Sequence, residues 1–195
     1  MVATHHVFYV PGLGDPHPKE RKFLAQIWKF YDLEVHYTPM NWSDGRSFEA
    51  KLANLLRQID VQITAENQVS LIGVSAGASA VINAYAQRKS EIHGVVCICG
   101  KLRNPQTAAN RFKTNPAFRD SLMMLPESLE SLSQKDKQKI LSVHPLWDGS
   151  VPVADTKIDG ALERTVPVLG HITGISYAIS FGSRRIAKFL TAPSD

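Results

Sequence analysis

Residues 68–80 read QVSLIGVSAGASA, and the position of one serine in that stretch decides the fold. QVSLIGV has the continuous apolar character of a strand covered on both faces of a parallel sheet. From Ala76 to Lys89 the chain turns alanine-rich and reads as a helix, with Arg88 and Lys89 at the end where cations are favoured. Ser75 therefore stands on a strand-to-helix turn, with Gly73 two residues before it and Gly77 two after. Small residues suit any tight turn. In this setting, however, G-x-S-x-G matches a nucleophile elbow, in which a strained backbone holds a serine hydroxyl out for reaction. Side chains in place of the two glycines would collide with the neighbouring strand and helix. The helix N-terminus also brings partial positive charge to where an oxyanion would form.

Outward from this stretch, apolar runs alternate with amphipathic ones. HVFYV (6–10), LEVHYTP (33–39), IHGVVCICG (92–100), a run near 138–145 and RTVPVLG (164–170) read as further strands. Helical periodicity marks 17–31, 48–63 and about 172–190, and a short helix is expected over 152–162. Strand–helix alternation predicts an α/β fold: a doubly wound, mostly parallel sheet of about six strands with helices on both faces. Ligands in such sheets bind beyond the carboxyl ends of the strands. The loops after Val10, Val74, Cys99, Val143 and Val168 should therefore converge on one site.

Bulk properties narrow the function classes. The 195 residues, 44% hydrophobic and 21% charged, fit a single domain over 1–195. No apolar run approaches a membrane span. The start, MVATHHVFYVPGLG, lacks the basic and apolar regions of a signal peptide, so a cytoplasmic location is expected. The net charge of +4 is dispersed over KERK (19–22), QRK (87–89) and SRRIAK (183–188) without aromatic interleaving, which argues against a nucleic-acid partner. Cys97 and Cys99, two apart on a strand, are expected on one face as buried thiols, too close for an unstrained disulfide.

A serine hydroxyl needs a base. Among the seven histidines, His171 follows Leu169-Gly170 at the end of the last strand, within the converging set of loops. The base in turn needs an acid to hold its tautomer. Asp148, in WDGSVP after the preceding strand, fits that place; Asp155 and Asp159 are rivals, expected on a helix facing solvent.

The order Ser75, Asp148, His171, in the settings GVSAG, WDGSVP and LGH, resembles the α/β-hydrolase superfamily over essentially the whole chain. The resemblance implies an oxyanion hole of two backbone N–H groups, carried onto Ala76 and onto Leu13 in PGLGDP. Only about five residues precede the first strand, so a compact sheet without the two leading strands of larger members is implied. The stretch at about 101–137 has room for a small helical cap over the site. Lys101 and Arg103 could bind an anionic group of the substrate. Met123, with Phe118, Leu122 and Met124, could line an acyl pocket. The expected activity is serine hydrolysis of an ester, thioester or related acyl bond in a small-molecule substrate, with no metal and no organic cofactor implied. A catalytically silent binding protein of the same fold, or an acyltransferase using the same triad, are the alternatives.

Overall fold

The sheet is built from six strands: β1 (His5–Val10), β2 (Leu33–Tyr37), β3 (Gln68–Val74), β4 (Ile92–Ile98), β5 (Ile140–Trp147) and β6 (Leu162–Leu169). They pair in the order β2-β1-β3-β4-β5-β6, and every pair is parallel. This computed structural model describes residues 4–14, 23 and 27–193, so most of the helix expected over 17–31 lies outside the described residues. The α-helices whose bounds fall within the described residues are α1 (Phe48–Gln62), α2 (Gly77–Gln87), α3 (Ala109–Phe112), α4 (Pro116–Glu130), α5 (Gln134–Gln138), α6 (His171–Ile179) and α7 (Ser183–Leu190).

Strand alternation splits the core into two layers. Phe8, Val10, Val69, Leu71 and Val95 pack on one face against Leu52, Leu55 and Ile59 of α1 and the alanines of α2. Val7, Tyr9, Ile72, Val96 and Val143 pack on the other face against Ala178, Ile186 and Leu190 of α6 and α7. Burial on both faces explains why the central strands read as continuous apolar runs. Ser47 caps α1, its side chain accepting from the Ala50 N–H, and so fixes where that helix begins.

Three expectations need correction. The segment expected to be helical over 152–162 forms only a 3-10 turn, Val153–Thr156, because Asp155 folds inward instead of facing solvent. The final helix is two helices, broken at 180–182, where the Gly182 N–H reaches back to the Tyr177 carbonyl at 2.8 Å. Cys97 and Cys99 are both buried and free, but they enter opposite core layers. Strand β4 ends at Ile98, and Cys99 takes a left-handed φ of 49°, which breaks the alternation. Among the described residues, no helix is long and apolar enough to cross a membrane.

Candidate active site

In the order β2-β1-β3-β4 the chain steps from β1 to β2 on one side and from β3 to β4 on the other, so the switch point, where such sheets carry a crevice beyond the strand ends, lies between β1 and β3. Ser75 sits there, one residue past β3, with a positive φ of 52°. Its N–H bonds to the Ile98 carbonyl at 2.9 Å, and its carbonyl accepts from Ala78 at 3.2 Å as α2 begins. The two flanking glycines are sterically required. A Cβ at Gly73 would lie 2.6 Å from the Ala78 Cα and from the Gly77 carbonyl oxygen. At Gly77 it would overlap the Val10 carbonyl oxygen and stand 2.6 Å from that of Pro11. Helix and sheet thus approach as closely as backbone permits, and the serine is held at the apex.

His171 opens α6, placed by Gly170, whose φ of 97° turns the chain sharply off β6. Its Nε2 lies 3.0 Å from the Ser75 Oγ, and its Nδ1 lies 2.7 Å from the Asp148 Oδ2. The Asp148 side chain is fully buried, and that of His171 is 12% exposed. The other carboxylate oxygen of Asp148 accepts from the N–H groups of Ser150 and Val151, at 2.8 and 2.9 Å. Three hydrogen bonds therefore fix the carboxylate. With Asp148 accepting from Nδ1–H, the Nε2 lone pair faces the serine hydroxyl. The geometry brings together three residues drawn from three separate strand ends.

The loop after β1 closes the opposite side. A Cβ on Gly12 would stand 3.0 Å from the Ser75 Cβ, so the segment 11–13 lies directly against the serine. Leu13 and Ala76 both border the crevice, and neither N–H donates to another group among the described residues. Cys99 is the neighbour that sequence reasoning missed. Its Sγ, an Asp148 oxygen and a His171 nitrogen all lie within 4.8 Å of one another. Burial, and then the charge of Asp148, push its thiol up to about 12, so it is an inert, neutral neighbour.

The crevice opens into a cavity of about 830 Å³ walled by apolar Leu13, Val74, Phe118, Ile172, Ile175 and Ile179. Lys101 borders it but is only 3% exposed and is paired with Asp155 and Thr107. Burial pushes the Asp155 carboxyl up, yet hydrogen bonds from Lys101, Asn104 and Thr107, with the Lys101 charge, together hold it below the usual carboxylate range. Asp155 is thus a structural ion-pair partner, and Asp159, at 93% side-chain exposure, is paired with Arg103. Two substrate-binding expectations are not met. Arg103 bonds to Asp159 and the Lys157 carbonyl and does not line the cavity. Met123 is 65% exposed on α4, whose buried face carries Phe118 and Leu122 instead. Arg111 of α3, a residue missed in the sequence, also borders the cavity, and its guanidinium makes no ion pair among the described residues.

No protein-family model and no curated protein matches the chain. Solved structures do. Est1E from Butyrivibrio proteoclasticus superposes with a TM-score of 0.71 at 12% identity, over 97% of this chain and 87% of that one. A carboxylesterase of the thaumarchaeon Nitrososphaera gargenis gives 0.67 at 14% identity, over 95% and 91%. Zea mays acyl-protein thioesterase 2 gives 0.62 at 14% identity, over 98% and 94%. The chain therefore has the α/β-hydrolase fold, and its own site residues must carry the functional conclusion.

Proposed function

We propose that this chain of α/β-hydrolase fold is a serine hydrolase acting on an ester or thioester of a small acyl substrate. The observation that carries the reading is the hydrogen-bonded chain Ser75–His171–Asp148, at 3.0 and 2.7 Å. The Ser75 Oγ attacks the acyl carbonyl carbon while His171 Nε2 accepts its proton. The carbonyl oxygen, now an anion, is received by the N–H groups of Leu13 and Ala76 at the start of α2. Collapse of the tetrahedral species breaks the bond to the leaving alcohol or thiol, which takes the proton from His171. Water then attacks the acyl carbonyl carbon as His171 Nε2 accepts its proton; the bond from the Ser75 Oγ to the acyl carbon breaks, His171 returns the proton to Oγ, and the acyl group leaves as a carboxylic acid. Asp148 holds the imidazole tautomer and stabilises the imidazolium between the two half-reactions.

The apolar part of the cavity wall suits an acyl chain, and this agrees with what two of the similar structures are called: a carboxylesterase and an acyl-protein thioesterase. An intact, fully hydrogen-bonded triad speaks against a catalytically silent relative. An active-site fluorophosphonate is expected to label the folded wild type at Ser75, with labelling abolished in Ser75→Ala. A folded wild type that resists labelling across neutral pH would refute the reading.

A further inference from the structure

Across the edge of the sheet, remote in sequence from Ser75, stands a second group of chemically capable side chains. His6 on β1 is in register with Glu34 on β2, and His36 lies two residues further along the same strand. Residues two apart on a strand share a face, so the three side chains converge on one side of the β1–β2 ladder. The His6 Nδ1 and His36 Nε2 are 2.9 Å apart. Glu34 presents one carboxylate oxygen to each ring, Oε2 at 3.7 Å from His6 and Oε1 at 3.8 Å from His36.

We propose that His6, Glu34 and His36 form a binding site for a divalent transition metal of the zinc type. Two imidazole nitrogens and a carboxylate are a ligand set such ions take, with water completing the shell. The spacing fits: ligand atoms about 2.1 Å from a tetrahedral ion stand about 3.4 Å from one another. The three observed separations lie on either side of that value, and small side-chain rotations bring them to it. Hydrogen bonding alone explains the site less well. A proton shared between the two rings would account for the 2.9 Å contact, but not for Glu34, whose carboxylate faces both rings beyond hydrogen-bond distance. The rings are also preset. His6 is only 6% exposed, and His36 stacks on Phe8 with centroids 4.8 Å apart and planes 18° apart. An ion here ties the edge strand β2 to β1 and plays no part in the chemistry proposed at Ser75.

The test uses the full chain after chelator treatment. Zn²⁺ is titrated by calorimetry, and Co²⁺ by its visible ligand-field absorption. Because Cys99, Asp148 and His171 form another group with ligand atoms close together, a His171→Ala chain is titrated in parallel. The wild type and His171→Ala are expected to bind a single equivalent and to melt at higher temperature with Zn²⁺. Glu34→Gln and His36→Ala are expected to weaken binding by roughly a hundredfold. Glu34 is 57% exposed, so its variant reports on a folded chain. Failure of the wild type to bind, loss of binding in His171→Ala, or wild-type affinity in Glu34→Gln would each overturn the site. None of these outcomes alters fluorophosphonate labelling of Ser75, so the two proposals fail separately.

Discussion

Ser75 holds a left-handed backbone that a non-glycine residue adopts only at a cost, on the order of 1–3 kcal/mol. The surrounding contacts enforce it: the Ile98 carbonyl fixes its N–H, and Gly73 and Gly77 leave no room for relaxation. Gly77→Ala should accordingly destabilise the fold by about 1–3 kcal/mol or more through overlap with the Val10 and Pro11 carbonyls, read by urea unfolding. Asp148→Asn keeps the size of the acid but offers the Nδ1–H a weaker acceptor and disfavours the required tautomer. Ester turnover should fall by roughly 10³–10⁴-fold with little change in melting temperature. These residues were legible in the sequence because each sits in a local motif whose sterics or chemistry name it. Cys99 and Arg111 were not, since nothing near them in sequence indicates what they face.

At the scale of elements, α2 is held by more than its alanines. Asn83 is fully buried; its amide donates to the Ser121 carbonyl at 2.9 Å and accepts from the Ser128 hydroxyl at 2.7 Å. Ser79 meets Ser121 at 2.7 Å, so α4 is bonded to α2 through a buried polar seam. Asn83→Ala should cost about 1–3 kcal/mol by leaving those partners unsatisfied, measured as a lower denaturant midpoint. The opening of β1 carries a pH dependence. His5 is lowered to about 4, first by burial and then by His93 and His6, while its Nε2 bonds Ser70 at 2.8 Å. A histidine depressed in the folded state takes up its proton more readily when unfolded. Its contribution is therefore complete above about pH 6.5 and is lost as pH falls toward 4. The melting temperature should drop across that window, and His5→Asn should flatten the drop. The break between α6 and α7 and the loss of the helix over 152–162 show where periodicity misleads: an apolar spacing fits a helix or a turn until tertiary partners choose.

For the molecule as a whole, the ion pair Lys101–Asp155 joins the loop after β4 to the turn after β5, with both side chains 3% exposed. Lys101→Ala strands a buried carboxylate and should cost about 3–5 kcal/mol, whereas replacing both residues by apolar side chains should recover most of that. Comparing the single and double variants by urea unfolding checks it. The cavity of about 830 Å³ lies within the range of sites that enclose a small ligand. A series of p-nitrophenyl esters of rising acyl length should show kcat/KM climbing and then falling as the chain outgrows the apolar wall. Phe118→Ala should shift that maximum toward longer chains, and no shift would place the acyl group elsewhere.

Local patterns in the chain were enough to read the α/β class, a sheet of about six strands, and the placing of Ser75, Asp148 and His171 at strand ends. They sufficed because alternation, burial on both sheet faces and glycine sterics act over a few neighbouring residues. Tertiary structure alone decided which charges meet. Lys101 was claimed by Asp155, Arg103 by Asp159, and His6 was brought beside Glu34 and His36. Those pairings join residues 28 to 56 positions apart. They depend on strand register and loop path, which fix distances in space that no local pattern encodes.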